Sequence, residues 1–249
     1  MADPVVWFEV TGPDPEGAAK FYGELFGWHA QPIPDMDYLP VDTHAGRGIN
    51  GGFGKSQEGQ PPSVTFYAVV PDPQAALDKA QSLGATTVMP VTEVPDIVTF
   101  AIFSDPQGAM VGILKGQVDQ DEGTGPSPGD GAAVGWFEIL VPEPEKAWDF
   151  YGELFGWKVR RSEGGDMVYG EVHDESGHGI SGGIGATPDG QPHVNLYADV
   201  DDVQKSLEKA ESLGGTTRMP VMDLGEGTTI AMFGDPQGTW FGLYRRSEP

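Results

Sequence analysis

"FYGELFGW" occupies Phe21–Trp28 and recurs unchanged at Phe150–Trp157. Eight identical residues can be a working site written twice or a piece of scaffold repeated, and the flanking sequence decides. Trp7-Phe8-Glu9 recurs as Trp136-Phe137-Glu138, Leu83-Gly84 as Leu213-Gly214, and Met89-Pro90 as Met219-Pro220. Asp105-Pro106-Gln107-Gly108 recurs as Asp235-Pro236-Gln237-Gly238. A near-constant offset over so many points means a duplicated domain of roughly 115 residues. The reading is a first domain over 1–116, a linker over 117–132 and a second domain over 133–249. The linker, QVDQDEGTGPSPGDGA, is acidic, rich in Gly and Pro and nearly free of apolar residues; stretched, it spans about 50 Å.

The octapeptide itself reads as the end of a helix. Asp14-Pro15 supplies an N-cap and an N1 proline, whereas Glu143-Pro144 keeps only the proline. Ala18, Phe21, Tyr22 and Leu25 share one face, Gly27 sits where a left-handed residue stops the helix, and Trp28 follows where it folds back on the last turn. Around this helix the first copy alternates as a strand over 5–10 and forms a hairpin-like stretch over 38–53. The order then restarts, with a strand over 64–70, a helix over 72–84, a strand over 86–94, and a hairpin over 98–114 closed by Asp-Pro-Gln-Gly, a strong turn signal. Each copy is therefore two βαβββ units, an α+β fold.

Composition narrows the function. There is no cysteine, which removes disulfides, iron–sulfur clusters, thiolate zinc and cysteine nucleophiles. The net charge of −24 repels nucleic acid and anionic membranes. No apolar run reaches the ~18 residues of a membrane span, and a cytoplasmic protein is expected. The Gly-rich Gly51-Gly52-Phe53-Gly54 lacks the strand-to-helix setting of a phosphate loop, and no nucleophile elbow is present.

Four βαβββ units, "FYGELFGW" after a helix, and "FSDPQG" or "FGDPQG" before a last strand resemble the vicinal oxygen chelate superfamily, in the tandem form of actinomycete glyoxalase-like "hydroxylase" proteins. That family includes glyoxalase I, extradiol dioxygenases, fosfomycin-resistance enzymes and bleomycin-binding proteins. The resemblance implies a curled-sheet cup in each copy, and, in the metal-dependent members, a divalent ion held by His, Gln or Glu. The matching positions here carry Trp7 and Trp136 on the first strand, Thr65 and Asn195 on the strand opening the second unit, and Gly112 and Gly242 on the last strand. Tryptophan and glycine side chains offer no ligand, so no metal and no other cofactor is expected; a divalent metal is the alternative. Some members of the family take a fourth ligand near the end of the first unit, where this chain reads Ile49-Asn50-Gly51-Gly52 and Ile180-Ser181-Gly182-Gly183. His173 and His178, with Asp174 or Glu175, make a conceivable surface metal site at a turn that reads more simply as solvated.

Strand alternation places Glu9 beside Trp7, Glu138 beside Trp136, Tyr67 and Tyr197 beside Thr65 and Asn195, and Met110 and Trp240 beside the two glycines. The expectation is a metal-free cup lined by Trp7, Thr65, Met110, Gly112, Trp136, Asn195, Trp240 and Gly242. It is open where glycine replaces the family's glutamate, and it binds a small hydrophobic or aromatic molecule. Glu9 and Glu138, with Tyr67 and Tyr197 as proton donors, are candidate acid–base groups for a lyase, isomerase or oxidoreductase; the same residues also suit a purely structural hydrogen-bond network. Lys79 and Lys209 read as solvent-facing filler. Single-domain relatives pair, so the tandem chain is expected to be a monomer with an internal pseudo-dimer, or a weak homodimer.

Overall fold

The computed structural model describes residues 2–34, 36–116, 125–162 and 168–246. The first copy runs β1 (Val5–Gly12), α1 (Pro15–Phe26), β2 (His29–Ala30), β3 (Tyr38–Asp42), β4 (Asn50–Lys55), β5 (Ser63–Val70), α2 (Pro73–Ser82), β6 (Thr86–Val94), β7 (Val98–Ser104) and β8 (Met110–Lys115). The second repeats it: β9 (Ala133–Val141), α3 (Pro144–Phe155), β10 (Val159–Arg161), β11 (Tyr169–Val172), β12 (Ser181–Ala186), β13 (His193–Asp199), α4 (Val203–Ser212), β14 (Thr216–Gly225), β15 (Thr228–Gly234) and β16 (Trp240–Arg246). The strand orders are β2-β3-β4-β1-β5-β8-β7-β6 and β10-β11-β12-β9-β13-β16-β15-β14, an α+β architecture of two βαβββ modules per copy. No helix among the described residues is long and apolar enough to cross a membrane.

The octapeptide ends its helix as expected. Asp14 caps α1 by accepting from Gly17 N at 2.9 Å, while Glu143 makes no side-chain cap. Gly27 and Gly156 take φ of 76° and 72° at the two C-caps, where a Cβ would be strained. Trp28 folds back to stack on Tyr22, ring centroids 5.5 Å apart; Trp157 does the same on Tyr151, also at 5.5 Å. Edge strands β2 and β10 were not read from the sequence, being only two and three residues long.

Packing groups these modules in a way the repeat does not announce. One compact unit comprises Met1–Val6, Thr65–Gly123 and Trp136–Val194; the other comprises Trp7–Val64, Thr124–Gly135 and Asn195–Pro249. Each unit thus takes one module from each copy. In the second, Phe8, Tyr22, Phe26, Trp28 and Phe53 of the first copy are buried with Phe233 and Phe241 of the other, and Tyr22 lies edge-on to Phe241 at 5.6 Å. In the first, Phe66 packs on Phe137 at 4.7 Å and Phe103 on Phe155 at 6.3 Å. Large rings meeting at such distances contribute buried area, and the Tyr22–Phe241 pair adds favourable edge-to-face geometry.

Polar locks hold the same pairings. The turn carboxylate of Asp235 accepts from Gln237 N and Thr239 N, each at 2.9 Å, and from the phenol of Tyr22 at 3.3 Å. Asp105 accepts from Gln107 N, Gly108 N and Ala109 N at 2.8, 2.8 and 2.9 Å and from Tyr151 at 3.0 Å. The neighbouring glutamine side chain pairs with the residue before the partner helix. Gln237 receives from Asp14 N at 2.8 Å and donates to Asp14 O at 2.9 Å. Gln107 receives from Glu143 N at 2.7 Å and donates to Glu143 O at 2.9 Å. Lys79 and Lys209 are not mere surface filler: they reach Leu154 O at 3.4 Å and Leu25 O at 3.1 Å, in the last turns of α3 and α1, where a cation meets the negative end of the helix dipole.

The described part of the expected linker, residues 125–132, is tied to the fold by hydrogen bonds. Residues 117–124 lie outside the described residues, but Ser127 N donates to Asp42 at 3.0 Å, Gly131 N to His44 O and Ala132 N to Phe26 O, each at 3.0 Å. The Trp28 indole donates to Ala132 O at 2.7 Å. In the other unit Asp3 has this role: its N–H meets Phe155 O at 2.9 Å and its carbonyl accepts from Trp157 at 2.7 Å.

Burial raises the Asp3 carboxyl to about 6, only partly offset by Lys79. The folded state therefore holds this proton more tightly than the unfolded chain. The contribution is full below pH about 3.8 and is lost as pH rises through about 6. Asp3→Asn is expected to flatten this component, so that the variant gains stability over wild type between pH 4 and 7. Thermal unfolding of the two proteins across that range checks it; a constant difference would be the contrary result.

Candidate functional site: two Trp–Tyr–Glu triads

On β1, Phe8 and Val10 are buried, while Trp7 and Glu9 are half-buried on the opposite face. β3 runs antiparallel to β4, and Tyr38 faces Gly54 in the register. Its phenol extends over the neighbouring glycine: a Cβ on Gly52 would lie 2.1 Å from the Tyr38 oxygen. The Trp7 indole donates to that oxygen at 3.0 Å, and the phenol hydrogen-bonds in turn to Glu9. The second copy rebuilds the arrangement within the other unit. Tyr169 faces Gly185 and reaches over Gly183, accepts from Trp136 at 3.3 Å and donates to Glu138 Oε1 at 3.0 Å. Burial, and then the neighbouring Glu9 or Glu138 charge, pushes both phenols well above the usual tyrosine range. Each stays protonated at neutral pH and works as a fixed donor.

Sequence reasoning found Trp7, Glu9, Trp136 and Glu138 but missed Tyr38 and Tyr169. A signal was available: a tyrosine recurs at the same place in both copies, opposite a strand whose glycines clear room for it.

Thr65 and Asn195 are buried, at 6% and 2% exposure. Tyr67 and Tyr197 are also buried; Tyr67 sits edge-on to Phe100 at 6.2 Å, and the Tyr197 phenol meets Met232 Sδ at 3.9 Å. Each lies over the glycine across from it, Tyr67 over Gly112 and Tyr197 over Gly242, direct partners in the register. A Cβ would come within 2.2 Å of the Tyr67 ring or 2.0 Å of the Tyr197 ring. The space expected to be open there is filled by tyrosine, the aromatic covering of a strand glycine. Met110 and Trp240 are exposed, at 39% and 45%, and the guanidinium of Arg218 stands 5.3 Å over the Trp240 ring.

These residues do not fit the family's metal. Indole, threonine, asparagine and glycine replace the expected donors, and the tyrosine rings occupy the room a longer side chain would need at 112 and 242. Among the described residues no three His, Asp or Glu side chains converge as a metal site. At the 173–178 turn, Asp174 is used by Ser176 N, Gly177 N and Gly179 N. Glu175 pairs with Lys158 at 2.9 Å and His173 with Glu171 at 3.3 Å.

Paired βαβββ modules in an open sheet define a vicinal-oxygen-chelate type of protein, here with triads of hydrogen-bonded side chains on its first strands. Sequence profiles agree: the Glyoxalase/Bleomycin resistance protein/Dioxygenase superfamily matches residues 133–243 and a Glyoxalase-like domain matches 7–114. The chain belongs to the glyoxalase/bleomycin resistance/dioxygenase superfamily. It is 27% identical to the anthracycline biosynthesis protein DauV of Streptomyces sp. (strain C5), covering 97% of this chain and 93% of the relative. It is 28% identical to the putative glyoxylase CFP32 of Mycobacterium tuberculosis (strain CDC 1551 / Oshkosh), over 96% and 93%. Its fold resembles the Mn(II)-bound glyoxalase from Novosphingobium aromaticivorans, with TM-score 0.69, 14% identity, and 99% and 83% of the two chains covered. It also resembles the 2,3-dioxygenase LapB from Pseudomonas sp. KL28, with TM-score 0.67, 13% identity, and 100% and 94% covered.

Proposed function

We propose that this chain binds a small hydrophobic or aromatic molecule against each Trp–Tyr–Glu triad, without using the family's metal. The observation that carries the reading is the recurrence of the triad in both units, half-buried, on the strand where metal-dependent relatives begin their ligand set. An indole and a phenol present flat apolar surface, and a carboxylate fixed by the phenol adds one oriented polar group, the make-up of small-molecule sites in general. The names of DauV and DnrV, which refer to anthracycline biosynthesis, favour a fused-ring aromatic. On this reading the protein is a monomer whose two copies supply the pairing.

The test is equilibrium binding of a panel of fused-ring aromatics, followed by tryptophan fluorescence and by thermal shift. Binding in the micromolar range, weakened at least tenfold by Trp7→Ala and Trp136→Ala together, is the expected result. No binding up to solubility would overturn it. A second reading, acid–base catalysis by Glu9 or Glu138, is favoured by the hydrogen bond that orients each carboxylate. It predicts that Glu138→Gln abolishes turnover and leaves folding intact. Elemental analysis of purified protein separates both readings from a metal enzyme, which would carry stoichiometric Mn, Fe, Ni or Zn.

A further inference from the structure

The two copies differ together at neighbouring positions of the last three strands. Val88, Ser104 and Met110 of the first copy are Arg218, Gly234 and Trp240 in the second. Gly234 faces Trp240 in the register. The pairing of β14 with β15 shifts between Thr217 and Met219, a bulge whose extra residue is Arg218, and bulges re-aim side chains. Thr217 turns to the helix side of the sheet, where it donates to Glu211 of α4 at 2.6 Å. Arg218 turns the other way, and its guanidinium lies 5.3 Å over the Trp240 ring. The glycine makes room for it: a Cβ on Gly234 would stand 2.8 Å from Arg218 Nε.

The chain has 38 acidic residues against 14 basic ones, and its other stacked arginine uses one of them. Arg161 stands 5.9 Å over Trp148 and pairs with Glu145 at 2.8 Å. Arg218 has the ring but, among the described residues, no carboxylate and no other acceptor. A guanidinium laid on an aromatic keeps its N–H donors in its own plane, where a carboxylate is met by two parallel bonds. Apolar surface adjoins it. Met232 and Ile230 alternate with Gly234 on the face of Trp240, and β14 sets Met219 and Met222 across from them. Trp240 and Met222 are exposed, and methionine adapts to flat apolar shapes.

The geometry points to a binding site for a planar aromatic carboxylate at Arg218 and Trp240, one per chain and separate from the two triads. The ligand's carboxylate takes the place that Glu145 has on Arg161, and its ring rests on the methionines. Val88 and Met110 offer no charge, so the first copy has no counterpart. The net charge of −24 repels anions at long range; the attraction is a local ion pair, which added salt weakens.

The probes are 2-naphthoate and its neutral isostere 2-naphthamide, titrated into the intact protein at neutral pH by calorimetry. The expected result is one naphthoate per chain, bound about tenfold more tightly than the amide, with a preference that shrinks as sodium chloride is raised. Arg218→Val, which installs the first copy's residue at an exposed position, is expected to abolish the preference with the fold unchanged by circular dichroism. Arg218→Lys keeps the charge but loses the planar fork, and its affinity should fall between the two. No binding of naphthoate, naphthoate no tighter than the amide, a preference that survives Arg218→Val, or full affinity in Arg218→Lys would each overturn the inference. None of these results touches the binding reading at the triads, which is decided by Trp7→Ala and Trp136→Ala.

Discussion

Asp235→Ala is expected to lose about 3–6 kcal/mol of unfolding free energy, read from urea or guanidinium denaturation, because three donors lose their acceptor at once. Gln237 N, Thr239 N and the Tyr22 phenol all converge on this carboxylate, which is 4% exposed. An unsatisfied buried donor costs about 1–3 kcal/mol, and the bonds from Tyr22 and Thr239 lie in buried surroundings. Asp235→Asn should lose much less. The amide oxygen still serves the turn, and the charge that burial disfavours is gone, burial being the first reason that this carboxyl titrates above its ordinary value. A loss below about 1 kcal/mol for the alanine variant would show that the lock carries little of the stability.

Gly242→Ala is the second large effect. The added methyl would stand 2.0 Å from Tyr197 Cδ1, in a strand centre where Phe241 and Leu243 on either side are fully buried. Overpacking of this kind costs about 1–3 kcal/mol, and a glutamate, the residue that the family resemblance implies at this position, should cost more. The cause is checked by a cycle: Tyr197→Ala in the Gly242→Ala background should restore part of the loss, a coupling expected of residues in direct contact. Additive losses would place the strain elsewhere. The pair also explains why a glutamate placed at 242 would not by itself make a metal site, since its side chain must first displace a tyrosine.

Much of the fold is written locally, which is why it can be read from residues. Asp14-Pro15, the apolar spacing through Leu25 and the glycine at 27 specify a helix without reference to anything distant, and Asp-Pro-Gln-Gly specifies a turn. The same local sufficiency hid what those motifs do at long range. Gln237 and Asp235 are fully explained as turn residues, so nothing in their neighbourhood says that they also grip Asp14 and Tyr22, more than 200 residues away. Lys209 on a polar helix face gives no hint that Leu25 O is its target. At the site, the glutamates were legible because alternation puts them beside tryptophans. The tyrosines that hold them come from a different strand, and register between strands is a tertiary property that alternation within one strand does not contain. Gly112 and Gly242 misled for the same reason: an absent side chain reads as space until the cross-strand neighbour that fills it is known.

The exchange of modules between the copies gives the duplication a consequence for how this sequence can change. Each copy supplies the turn that the other copy's helix needs, so a substitution at Gln107 is felt at Glu143, and one at Gln237 at Asp14. Neither half can drift as an independent domain. A gene that lost one copy would leave two orphaned aromatic faces rather than a smaller working protein, and compensating changes should arise in pairs 36 residues apart in one unit and 223 apart in the other.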